Sequence, residues 1–182
     1  MQIVLIGYRE WALNAFSNFK KFKVIKTTKD LNNFLDQNKE NPDLCLIFAG
    51  WSQIIKSEII NNYLCICLHP SDLPLFRGGS PIQNQKINGI KNSKLTAFKM
   101  TNSIDNGPII YKTDISLDGH MNEIFHSLKI ATIEIIQKIK ENNDELFLMG
   151  VSQDESKATT YKRRKPYESE ITIDDLTSLS SE

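Results

Sequence analysis

Apolar residues follow two rhythms along the first half of the chain. Short continuous runs at Ile3-Val4-Leu5-Ile6, 44–48 and 64–68 alternate with stretches in which apolar side chains recur every three or four residues. A strand covered on both faces shows no polar alternation, so the runs predict the middle of a parallel sheet and the other stretches the helices that flank it. After Gly7 one helix carries Trp11, Leu13, Ala15, Phe16 and Phe19. Thr28 is placed to cap a second over Leu31, Phe34 and Leu35, and residues 52–62 predict a third around Ile54, Ile55, Ile59 and Ile60. A weaker strand is expected at 22–26. Further on, 82–88 reads as a helix and 95–100 and 109–115 as strands. Ile124, Leu128, Ala131, Ile135 and Ile139 keep helical spacing through a long amphipathic helix at 121–142. A last strand is expected at 147–151. The fold class is α/β, with residues 1–150 as one domain and 151–182 as an extension packed on it, its acidic, Ser-rich end frayed.

Charge and cysteine usage narrow the partners. The 182 residues hold 22 Lys+Arg against 22 Asp+Glu, so no general field draws a polyanion, and nucleic acid is not expected as a partner. No stretch reaches the roughly 20 apolar residues of a membrane span. The start, MQIVLIGYREW, turns acidic where a secretory segment would stay apolar. A cytoplasmic protein without a membrane partner is expected. Cys45, Cys65 and Cys67 lack the spacing of a disulfide framework and read as reduced thiols. His120 and His126 have no metal-ligand spacing, and no metal is expected.

Three segments fall where an open sheet binds ligands: FAGWSQII (48–55), LHPSDLPLFRGGSPIQ (68–83) and SIDNGPII (103–110). His69 follows a buried run directly, and Asp105 heads a turn with Asn106 and Gly107. An imidazole titrates near neutral pH, and a carboxylate orients it and stabilises its charged form, so the two would make a proton-transfer pair. Taken by spacing alone, a satisfied loop histidine and a turn-forming aspartate are the more ordinary reading.

In combination, the HPSxLP motif and the downstream D-x-G resemble the core of the 10-formyltetrahydrofolate-dependent formyltransferases, over about residues 44–142. The resemblance implies a Rossmann-like fold, here a shortened formyltransferase core, and transfer of a formyl group from 10-formyltetrahydrofolate to an amine. It makes His69 the group that removes the amine proton and Asp105 its supporting carboxylate. Cys67 stands where the family has an asparagine that donates to the formyl oxygen, and a thiol is a far weaker donor. Another amide such as Asn84 or Gln83 could replace it, substrate could complete the site, or the chain could be a catalytically degenerate folate- or sugar-nucleotide-binding protein. Phe48, Gly50, Trp51, Ser52, Gln53, Ile54 and Ile104 match the slot for the folate ring, while Arg77, Gly79, Ser80 and Gln83 are expected to grip the amine substrate. Among acceptors, the sequence Gly7-Tyr8-Arg9-Glu10-Trp11 lacks a phosphate loop for glycinamide ribonucleotide, and the absence of a charge excess speaks against tRNA. The acceptor expected by elimination is an amino sugar, with a possible homodimer closing an open cleft.

Overall fold

The computed structural model describes residues 1–39, 41–142 and 144–170. Six strands form one sheet: β1 (Gln2–Ile6), β2 (Lys23–Ile25), β3 (Leu44–Ala49), β4 (Leu64–His69), and two more, Asn92–Lys99 and Ile109–Ser116. Between β4 and the later pair lies a two-residue strand, β5 (Arg77–Gly78), so the later pair are β6 and β7. The order across the sheet is β2-β1-β3-β4-β6-β7, parallel from β2 to β4, with β6 antiparallel to both β4 and β7. All six residues of β3 are buried, as its unbroken apolar run predicts.

Helices cover both faces. α1 (Glu10–Phe16) and α5 (Met121–Glu141) pack on one face, where Ile135, Leu128 and Phe16 join Leu5, Ile47 and Leu68. α2 (Thr28–Gln37) and α3 (Ser57–Asn62) cover the other, where Leu31 and Ile59 meet Ile6, Phe48 and Cys65. α4 (Pro81–Ile87) follows the long loop after β4.

Three elements differ from expectation. Thr27, one residue earlier than foreseen, caps α2 by accepting from the Asp30 amide. The third helix starts only at Ser57, because the preceding residues are held as a loop by side-chain hydrogen bonds between Tyr8 and Ser52 and from Thr28 to Gln53. The periodic pair Ile55 and Ile59 stays buried across this boundary, while Ile54 is 91% exposed. The strand expected at 147–151 is instead α6 (Glu145–Met149), nucleated by Asp144, whose carboxylate accepts from the Phe147 amide. Only Val151 pairs with the sheet, through Ile109. The extension then forms β8 (Thr160–Tyr161), parallel to β5, and the expected frayed end lies outside the described residues.

Ile135 is fully buried between α5 and the sheet. Replacing it by alanine should lower unfolding free energy by about 2–5 kcal/mol, measured by urea denaturation.

Candidate active site

His69 ends β4, where the strand holds its ring at 6% exposure and the loop that follows is free to shape a cleft. Cys67, two residues earlier, lies on the same face and beside Phe48 of β3. Asp105 arrives by an indirect path. Because β6 is antiparallel, the β6–β7 connection leaves the sheet beside Cys65, where the Met100 amide donates to the Cys65 carbonyl, at the opposite end of β4 from His69. The connection climbs back over the sheet and sets the Asp105 carboxylate 3.5 Å from His69 Nδ1, with side-chain exposures of 16% and 7%. Gly107 makes this path possible, since a Cβ there would lie 1.7 Å from the Lys99 carbonyl oxygen.

The partners of the ring decide its proton chemistry. His69 Nε2 lies 2.9 Å from the Phe76 carbonyl oxygen, and a carbonyl only accepts, so Nε2 carries a hydrogen. Nδ1 is then the basic nitrogen of the neutral ring. Once protonated there, the imidazolium would face an oxygen at each end. The Asp105 carboxylate is fixed in turn by the Gly78 amide, which donates to Oδ2 at 2.8 Å.

The thiols are neutral. Burial pushes Cys45 and Cys65 up to about 12, and burial followed by the Asp105 carboxylate raises Cys67 well above its ordinary value. A buried thiol beside a carboxylate is a poor nucleophile and stays a weak S–H donor.

The residues matched to a folate slot lie on and around the loop after β3. Trp51 packs against Tyr8 and Phe48, with ring centroids 5.4 Å and 6.2 Å apart, and its indole N–H is buried without a partner among the described residues. Gly50 has φ +59° and turns the chain into this loop. Ser52 and Gln53 direct their side chains to Tyr8 and Thr28. Ile54 and Ile104 expose large apolar side chains, at 91% and 69%, on the loops after β3 and β6. An orphaned donor and uncovered apolar groups fit a flat heteroaromatic ring.

The expected substrate grip is different in kind. Arg77 is 5% exposed, and its guanidinium is taken up by Glu155, at 2.7 and 2.9 Å, and by Gln153, at 2.7 and 3.0 Å. It therefore clamps the extension rather than facing a ligand, and it holds the Glu155 carboxyl below its ordinary range. Gly79 and Ser80 also meet the chain itself: a Cβ on Gly79 would lie 2.3 Å from the Arg163 nitrogen, and the Ser80 hydroxyl accepts from the Arg164 amide. Gln83 is exposed on α4. Asn84, considered as a replacement for the missing amide, is buried and donates to the Gly79 carbonyl. The pattern also missed Phe76 and Gln153, since nothing in the polar stretch after Val151 marks a contact with the loop after β4.

Fold and site together define a class: a Rossmann-like α/β domain with an imidazole–carboxylate pair at the end of a central strand. The chain belongs to the formyl transferase family, whose sequence pattern matches residues 15–148. It is 35% identical to the methionyl-tRNA formyltransferase of Thermotoga maritima over 128 residues, covering 65% of this chain and 39% of that protein. The structure of methionyl-tRNA formyltransferase from Clostridium thermocellum matches with a TM-score of 0.80 at 34% identity, covering 99% of this chain and 80% of that one. WlaRD, a sugar 3N-formyl transferase, shares the fold with a TM-score of 0.65 at 18% identity over 90% of this chain and 70% of its own. The chain spans about half or less of the length of the curated relatives it matches, 50% for the Campylobacter lari protein.

These relatives overturn two expectations, an amino-sugar acceptor and the absence of a nucleic-acid partner. The sequence relatives at about one-third identity are tRNA-directed, whereas the sugar enzyme is similar only in fold. The elimination failed because a sum of charges says nothing of their placement. Lys162, Arg163, Arg164 and Lys165 follow β8 directly, and main-chain contacts of Arg163 and Arg164 bring this run against the loop that borders the site.

In the folded chain at pH 8, iodoacetamide should label Cys45 and Cys65 about a thousandfold more slowly than after unfolding, because a thiol at about 12 has a thiolate fraction near 10⁻⁴. Cys67 should slow in the same direction. Peptide mass mapping over time reads all three, and a Cys67 faster in the folded chain would contradict the neutral thiol.

Proposed function

We propose that this chain carries the site for transfer of the formyl group of 10-formyltetrahydrofolate to the amino group of methionine esterified to tRNA. The observation that carries the proposal is the His69–Asp105 pair at 3.5 Å, in a chain similar over its length to methionyl-tRNA formyltransferase. 10-Formyltetrahydrofolate supplies the activated formyl carbon, and the amine attacks it.

His69 takes the proton of the attacking amine at Nδ1, the nitrogen left free by the Phe76 carbonyl. Asp105 faces the positive charge that results, and the ring returns to its neutral form when Nδ1 gives that proton to the departing folate nitrogen. The balance is one N–C bond formed, one N–C bond broken and one proton moved from the acceptor amine to the leaving amine. Cys67 lies two residues from the base on the same face of β4, where its S–H would meet the developing oxyanion. Trp51, Ile54 and Ile104 hold the ring of the folate, with Phe48 behind Trp51 and the turn at Gly50 shaping the slot. The Lys162–Lys165 run, set beside the loop after β4, supports the polyanionic acceptor. Positioning both substrates over the imidazole supplies much of the rate.

Incubation with 10-formyltetrahydrofolate and methionyl-tRNA should yield formylmethionyl-tRNA, read by mass spectrometry of the released aminoacyl group. Asp105→Asn should lower the turnover about 10²–10⁴-fold, and failure of the unsubstituted chain to transfer would reject the proposal. Cys67→Asn should maintain or raise the rate, because an amide is the stronger donor. Trp51→Ala should weaken folate binding, measured by calorimetry, more than it lowers stability.

A further inference from the structure

Asp105 has φ +50°, a left-handed conformation uncommon outside glycine though more accessible to aspartate than to most residues, and here the turn is bonded from outside. What holds it comes from Gln153, beyond the last residue of the family match. The Gln153 Nε2 donates to the main-chain carbonyls of Asp105, at 2.9 Å, and Gly107, at 2.8 Å, on either side of the turn. Its Oε1 accepts from Nε and Nη2 of buried Arg77, at 3.0 and 2.7 Å. Arg77 is fixed in turn by Glu155 and by its own main chain, whose amide donates to the Thr159 carbonyl.

We propose that Gln153 is the positioning residue of the His69–Asp105 pair, carried to it by a segment outside the family's matched core. This rests on the assignment of Asp105 to the reaction. Chemistry selects the residue: a guanidinium only donates and two carbonyls only accept, so the group between them must accept at one end and donate twice at the other. A side-chain amide does both. A glutamate there would keep the acceptor for Arg77 and lose both donors to the turn. The clamp acts on both halves of the pair. Thr159 Oγ1 accepts from the Phe76 amide, and Phe76 stacks on Tyr161 with centroids 5.0 Å apart, so the same segment fixes the residue whose carbonyl sets the ring's proton. Next to Arg77, the Gly78 amide holds the Asp105 carboxylate.

The test compares Gln153→Glu, Asp105→Asn and the double variant in formyl transfer to methionyl-tRNA, and in long-range 1H–15N spectra of the histidine rings. Gln153→Glu should lower kcat at least tenfold with KM for both substrates within twofold. It should shift the His69 ring signals in the direction that Asp105→Asn shifts them, leaving His120 and His126 in place, and cost no further turnover in the Asp105→Asn background, as expected of a residue that acts through Asp105. Unmoved His69 signals, or an equal loss of turnover with and without Asp105, would overturn the proposal. Full turnover in Asp105→Asn would instead remove the catalytic reading of Asp105, and the ring spectra would still decide whether Gln153 positions the pair. If Gln153→Glu does not fold, Gln153→Met, similar in length and uncharged, takes its place. In the unsubstituted chain the Gln153 side-chain amide protons should exchange with solvent at least tenfold more slowly than those of exposed Gln83, and equal rates would equally overturn the proposal.

Discussion

An imidazole at the end of β4 and a carboxylate on a connection that departs from the other end of that strand must meet on one face of the sheet, and the local structure around them serves this meeting. The antiparallel β6 creates the difficulty by delivering the chain beside Cys65. The connection answers it with a glycine that passes against a backbone carbonyl and an aspartate in a left-handed turn. Hydrogen bonds from the Gly78 amide to the Asp105 carboxylate and from the Gln153 side chain to the Asp105 and Gly107 carbonyls tie this turn to the rest of the site.

Polarity around the site is arranged with few free groups. The histidine has an acceptor at each ring nitrogen, which leaves the neutral ring with one basic position and gives the protonated ring two oxygens to face. Arg77 is the nearby cation whose donors are all turned inward, toward Gln153 and Glu155. Lys162, Arg163 and Lys165 are exposed on the extension that clamps the loop after β4, while the Arg164 guanidinium donates to the Glu168 carbonyl. Anchoring the site and presenting basic groups beside it thus fall to one short segment, which ties the stability of the pair to the surface an anionic acceptor would meet.

Much of the fold was legible because burial on both faces leaves an unmistakable pattern. The runs of β1, β3 and β4 and the period of α5 were placed within a residue or two. The apolar run at 147–151 fits a strand or a helix equally, and Asp144, capping the Phe147 amide, settles it as the helix α6. Of the site, His69 and Asp105 were legible as a pair through their motifs, and the structure sets them 3.5 Å apart. Arg77 was misread because an arginine in a glycine-rich loop invites an anion from outside, whereas here the anion is Glu155, 78 residues further along the chain. Gln153 left no signal at all, as a single amide in a polar stretch carries no period.

What the sequence determined by itself is therefore the local and the repetitive: which segments bury two faces, which helix is amphipathic, and which residues carry titratable chemistry at the ends of strands. These follow from side-chain chemistry acting over a few neighbouring positions. Tertiary structure alone decided that β6 would run backward, that Asp105 would return over the sheet to His69, and that Gly78 and Gly79 would accommodate Tyr161 and Arg163 rather than a ligand. The reason is that hydrogen-bond partners far apart in the chain are chosen by which donors and acceptors folding brings into reach, and no periodicity records that choice.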